Sequence, residues 1–184
     1  VDDDGDVDSD GGAIFNNRTL TVTGSMFTGN TATGSGGALD LNSIGIVSLT
    51  SSTLRGNTAV VNGGAISNNA ASRLTLSEMT LDGNRATGDG GGLFHSSSVV
   101  ATVSEMTISN NQAASGGGVS STGPINLTNA TVTTNVASAD GGGLHNSSTA
   151  TLLGVTIANN MAGVSGGGIS SNNVGGNASL KNTL

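Results

Sequence analysis

The run Phe27-Thr28-Gly29-Asn30-Thr31-Ala32-Thr33-Gly34-Ser35-Gly36-Gly37-Ala38-Leu39 decides the fold, because both of its halves recur along the chain. The second half is Gly-Gly, then Ala or Gly, then an aliphatic. It begins at Gly11, Gly36, Gly63, Gly90, Gly116, Gly141 and Gly166, with successive spacings of 25, 27, 27, 26, 25 and 25 residues. The first half is an aliphatic or Phe, two residues, Asn, one residue, then Ala. It recurs around Asn30, Asn57, Asn84, Asn111, Asn135 and Asn160, and every copy keeps both the Asn and the Ala. A fixed period of this length marks a chain of stacked structural repeats.

Each repeat has two punctuated corners. The residue before each Asn is Gly29, Gly56, Gly83, Asn110, Thr134 or Asn159. Gly and Asn tolerate positive φ, so five of these six fit a left-handed turn residue and Thr134 departs from the pattern. The residue before each glycine pair is Asp10, Ser35, Asn62, Asp89, Ser115, Asp140 or Ser165, side chains that favour turns by bonding to local backbone. Between corners the polarity alternates with period two, as in Leu20-Thr21-Val22-Thr23 and Leu74-Thr75-Leu76-Ser77, which predicts strands. A third short strand ends at the aliphatic before each Asn, as in Met79-Thr80-Leu81.

Short strands with one apolar face cannot bury that face alone, but stacked repeats bury it continuously. The expected fold is all-β: a right-handed parallel β-helix of about seven turns of 25–27 residues, with three short strands per turn. Its hand follows the general preference for right-handed parallel crossovers. Ile14, Leu39, Ile66, Leu93, Val119, Leu144 and Ile169 form one expected inward column. Val22, Leu49, Leu76, Val103, Leu127 and Leu152 form another. Asn30, Asn57, Asn84, Asn111, Asn135 and Asn160 are expected to stack as an amide ladder.

Composition agrees. Gly is 31 of 184 residues, aromatic residues are 2%, and charged residues are 9%, far below the usual ~25%. Large aromatics therefore cannot build the core. The net charge is −7, but six acids crowd Asp2–Asp10, and the body from Gly11 is near neutral. With no basic stripe, nucleic acid is excluded as a partner. The chain has no Cys, which excludes a disulfide scaffold and a thiolate metal site. No run of apolar residues is long enough for this segment to insert in a membrane. Residues 1–10 read as an acidic edge or linker, and 11–184 as the repeat domain. Neither end reads as a polar cap, and Leu184 falls on the aliphatic position of a further Asn turn. The expectation is a part of a longer protein, or end-to-end self-stacking into a fibre.

Candidate chemistry is sparse. Asp6, Asp8 and Asp10, followed by Gly11, match the first half of a calcium loop, so Ca²⁺ is the one cofactor to consider. Glu78 and Glu105 occupy one column of adjacent turns and could share a cation or a proton. His95 and His145 read as surface polar residues. Phe15, Asp40, Ser67, Phe94, Ser120, His145 and Ser170 read as an outward column after the glycine pairs, where one Asp makes no acid pair. Thr53, Thr80, Thr107, Thr131, Thr156 and Thr183 form an outward hydroxyl column and a candidate ligand face. Thr21/Thr23, Ser48/Thr50, Thr75/Ser77, Thr102/Ser104 and Asn126/Thr128 form a second. Thr is also simply a good outward strand residue.

The motifs Gly36-Gly37-Ala38-Leu39 and Phe27-Thr28-Gly29-Asn30 resemble the repeats of chlamydial polymorphic membrane proteins, and more broadly the β-helix repeats of bacterial secreted and surface proteins. That resemblance implies an extracellular passenger domain in adhesion, with no catalytic residues. The resulting expectation is a non-enzymatic extracellular structural or adhesive β-helix, partnered by itself or by a surface receptor or glycan. Two alternatives stand beside it. One is an ice-binding protein that uses the hydroxyl ladders, since regular Thr arrays resemble the ice-binding faces of β-helical antifreeze proteins. The other is a carbohydrate-active β-helix.

Overall fold

The computed structural model describes residues 9–42, 44–70, 73–171 and 176–183. Within them the chain is an all-β parallel solenoid without helix. The first turn contains β1 (Ile14–Asn16), β2 (Leu20–Thr23), β3 (Met26–Thr28) and β4 (Thr31–Ala32). The second repeats it as β5 (Leu39–Leu41), β6 (Ile46–Thr50), β7 (Thr53–Arg55) and β8 (Thr58–Ala59). Stacking yields four parallel sheets, two of seven strands and two of six, so about six turns are built with four strands in each. The fourth strand is the addition to the expected three. It is two residues long, too short to show an alternation, and it is the Asn-x-Ala motif itself.

The registers follow the sequence period. In the first sheet, Ile14, Leu39, Ile66, Leu93, Val119, Leu144 and Ile169 are successive partners. In the second, Val22, Leu49, Leu76, Val103, Leu127 and Leu152 are. Leu39, Leu49, Leu54, Ile66, Leu76, Leu81 and Ile108 are fully buried in one continuous core, each contributing about 1.5–3 kcal/mol relative to exposure. The Ala of the Asn-x-Ala motif is buried in the fourth sheet from Ala32 and Ala59 to Ala137.

The glycine pairs hold the tightest corner. Gly36, Gly63 and their equivalents have positive φ, from 62° to 70°. The second glycine has no room for a side chain. A Cβ on Gly64 would run into the Gly91 carbonyl oxygen of the next turn and stand 2.6 Å from the backbone N and C of Arg85. At three of these corners the polar residue before the pair bonds differently from expectation. Its acceptor serves the next turn rather than local backbone: Asp10 Oδ1 accepts from Ser35 N, Asn62 Oδ1 from Asp89 N at 2.8 Å, and Asp89 Oδ1 from Ser115 N at 3.0 Å.

Two placements differ from the reading of the sequence. Asp40, Ser67, Phe94 and Ser120 do share a column, but all four are buried rather than solvent-facing. The glycine corner folds closely onto this strand, since a Cβ on Gly36 would meet the Asp40 backbone N at 2.6 Å. His95 is not a surface residue: it is 0% exposed.

Candidate functional site

The Asn corner is saturated with hydrogen bonds. Asn57 Nδ2 donates to Asn84 Oδ1 at 2.9 Å in the next turn and to Phe27 O at 3.1 Å in the previous one. Its backbone N donates to the same Asn84 Oδ1 at 3.0 Å. The pattern repeats at Asn84, Asn111 and Asn135, and Asn30 Nδ2 and Asn160 Oδ1 lie at the two ends of the series. Each internal carboxamide thus has both protons and both oxygen lone pairs used, which is what a buried amide requires. The residue before the Asn has positive φ in every turn, Thr134 included at 57°.

A third left-handed corner follows the second sheet. Gly24, Ser51, Glu78, Glu105, Asn129 and Gly154 occupy it, all with positive φ. Gly, Ser, Glu and Asn share this position, so no single residue type gives the sequence a signature of it. Glu78 and Glu105 both stand at this exposed corner, and Ser51 Oγ donates to Glu78 Oε2 at 2.6 Å.

The outward hydroxyls form registered rows. On the third sheet, Met26, Thr53, Thr80, Thr107, Thr131 and Thr156 are successive partners. Thr183 lies outside the strands, its Oγ1 donating to Lys181 O at 3.3 Å. On the second sheet, one row runs Thr21, Ser48, Thr75, Thr102, Asn126 and Thr151. The row beside it runs Thr23, Thr50, Ser77, Ser104 and Thr128 before reaching Leu153. These two rows carry no charge through Leu153. The third sheet does carry charge: Asp82 meets Arg55 Nε at 3.2 Å, Ser109 Oγ at 2.9 Å and Asn110 Nδ2 at 2.7 Å. The Asn110 hydrogen bond is the main cause holding the Asp82 carboxyl below its ordinary value, with Ser109 and Arg55 adding to it against burial.

A polar column inside the solenoid was not anticipated. Asn68, His95, Ser121 and Asn146 are successive partners, and all are buried. Asn68 Nδ2 lies 3.1 Å from His95 Nδ1, and His95 Nε2 lies 3.1 Å from Pro124 O. A carbonyl oxygen can only accept, so Nε2 carries the proton there. Burial pushes the His95 pKa down, and backbone hydrogen bonds at Pro124 and Val99 oppose it. The offset offers a signal: each member stands five residues after the first glycine of a pair, and Asn68 and Asn146 already mark that position as polar.

Of the calcium candidates, Asp6 and Asp8 lie outside the described residues. Asp10 places Oδ1 on the Ser35 amide. Among the described residues, no three of His, Asp or Glu group together as metal ligands.

Gly24–Leu41 contains the third left-handed corner, the Asn corner and the glycine corner in sequence. Residues 24–41 match the Chlamydia polymorphic membrane protein repeat. The chain thus carries a repeat of that type, and a parallel β-solenoid bearing one fits a bacterial surface repeat protein. No curated protein matches the chain, and no solved structure does.

Proposed function

We propose that the chain is a non-enzymatic extracellular domain of a bacterial surface protein, a scaffold that presents the hydroxyl rows of its second sheet to a surface receptor or glycan. The observation that carries this reading is the registered, uncharged pair of rows from Thr21/Thr23 to Asn126/Thr128, on a solenoid with a Chlamydia polymorphic membrane protein repeat. Closely spaced hydroxyls on a flat strand face can donate and accept in a fixed lattice, which suits hydrogen bonding to a sugar surface. The Thr column from Thr53 to Thr156 offers a second such face. Beads coated with the chain should adhere to host-type epithelial cells or to a glycan array. The double variant Thr75→Lys/Thr102→Lys should adhere several-fold less with unchanged circular dichroism. Equal adhesion by wild type and variant would overturn the reading.

The same rows support a second reading, ice binding, because their spacing is set by strand stacking at ~4.8 Å rather than by flexible loops. Leu153 interrupts one row. Thermal hysteresis that is present in the wild type and lost in Thr75→Lys/Thr102→Lys would favour ice over a cell surface.

A further inference from the structure

The repeat loses one residue at the corner after Asn111. The first glycine of the next pair stands six positions after Asn30, Asn57, Asn84, Asn135 and Asn160, but five after Asn111. The hydrogen bonds show which residue is missing. After the Asn-x-Ala motif, the next amide reaches back to the Ala of the previous turn: Val60 N to Ala32 O, Thr87 N to Ala59 O, Ser138 N to Ala113 O and Gly163 N to Ala137 O. At Ala86 this pattern breaks. Ala114 N donates instead to Gly88 O at 2.7 Å, in the adjacent row that continues with Ala139 N to Ala114 O. The row Val60, Thr87, Ser138, Gly163 therefore lacks its member in the turn between Thr87 and Ser138. A notch of about 160 Å³ stands at that gap, with Arg85, Ala86, Thr87, Gln112, Ala114 and Ser138 around it.

We propose that this notch binds one acidic sugar residue, a carboxylated or sulfated unit of a glycan, with Arg85 on the anion. Arg85, Thr87, Gln112 and Ser138 are all exposed, so a ligand reaches them. Arg85 and Gln112 are register partners on adjacent strands, and Thr87 and Ser138 flank the gap. Among the described residues Arg85 has no ion pair, whereas Arg55 is committed to Asp82. The two acids flanking Arg85 in sequence are engaged elsewhere: Asp82 with Arg55, and Asp89 through Oδ1 with the Ser115 amide at 3.0 Å. A guanidinium presents a planar fork that matches a carboxylate or a sulfate. The Gln112 carboxamide and the two hydroxyls both donate and accept, as sugar hydroxyls require. Ala86 O, without the amide that its column otherwise supplies, is a further acceptor. The volume is below the ~300–1,000 Å³ of a drug-sized site, which suits a single sugar ring. The notch lies on the fourth sheet, so the proposal stands apart from the hydroxyl rows of the second.

The test is NMR titration of the chain with methyl glucuronide, glucose sulfate, neutral methyl glucoside and sodium sulfate. An acidic sugar should shift the Gln112 side-chain amide and the backbone amides of Thr87 and Ser138 saturably at low-millimolar concentration. Comparing the two acidic sugars separates carboxylate from sulfate as the bound group. The neutral glycoside should leave these resonances in place. Arg85→Gln, at an exposed strand position, should weaken binding at least fivefold. A glycine inserted between Ala114 and Ser115 restores the common repeat length, and it should close the notch and abolish binding with Arg85 still present. If that insertion fails to fold, Arg85→Gln still tests the site. The proposal is overturned if neither acidic sugar shifts these resonances, or if the neutral glycoside shifts them equally. It is also overturned if sodium sulfate shifts them equally, which means an adventitious ion only, or if Arg85→Gln or the folded insertion variant binds as wild type does.

Discussion

Asn84 gives both its backbone N–H and its side-chain Nδ2–H to one atom, Asn111 Oδ1, each at 2.9 Å. Its second Nδ2 proton goes the other way, to Leu54 O at 3.0 Å. One carboxamide therefore ties three consecutive turns together at a corner with almost no exposed surface.

Replacing Asn84 by Ala would strand several buried groups at once: the Asn57 N–H and Nδ2–H that use Asn84 Oδ1, and the Leu54 carbonyl. An orphaned buried group costs about 1–3 kcal/mol, so Asn84→Ala should lose about 3–5 kcal/mol. Asp in its place should do no better, because its second oxygen would face the Leu54 carbonyl. Equilibrium urea unfolding gives the number, and a loss below about 1 kcal/mol would contradict the ladder's role.

Two glycines with different reasons for being glycine should respond differently. Gly56 has φ 61° but open space around a Cβ, so Gly56→Ala meets only backbone strain, about 1–2 kcal/mol. Gly64 meets the backbone of two neighbouring segments, Gly91 and Arg85. Gly64→Ala must therefore push turns apart, and it should lower the melting temperature several times further than Gly56→Ala. Similar losses would show that stacking at the glycine pair is looser than its contacts indicate.

Thr134 is a β-branched residue at φ 57°, a conformation that is strained for its type. Asn occupies the same corner as Asn110 and Asn159. Thr134→Asn should therefore stabilise the chain by about 0.5–1.5 kcal/mol. Thermal unfolding of the variant beside wild type checks this, and a lower midpoint would be the wrong sign.

His95 is buried with its pKa lowered below the ordinary value of 6.5. The unfolded chain takes up a proton near pH 6.5 that the folded chain refuses, so stability is fully present above pH 6.5 and declines as pH falls from there towards the lowered folded value. His95→Gln should flatten this acid limb in urea midpoints measured between pH 7.5 and 5. His145 stays in that variant, so an unchanged slope would mean that His95 is not its source.

The large organisation was legible in the sequence because it is periodic. Seven glycine pairs and six Asn-x-Ala motifs fix where a turn closes, and Ile14 through Ile169 and Val22 through Leu152 stack as their spacing implies. The fourth strand was missed because two residues, such as Thr31–Ala32, have no period. The corner at Ser51, Glu78 and Glu105 was missed because Gly, Ser, Glu and Asn alternate there, and its backbone shape comes from the strands on either side. The burial of Asp40, Ser67 and His95 was missed because alternation separates the two faces of a strand without showing whether another part of the chain covers one of them.

The sequence by itself determined the repeat length, the parallel stacking, the aliphatic columns and the uncharged rows of hydroxyls. These depend on residue type at a fixed offset, and a stacked solenoid turns every such offset into a spatial column. Only the tertiary structure decided which polar residues lose their water. The glycine corner folds onto the strand that follows it, burying Ser120 and enclosing part of His145, and the loop carrying Pro124 meets the His95 ring. Those contacts join residues at unlike offsets in the repeat, so no periodicity in the chain announces them.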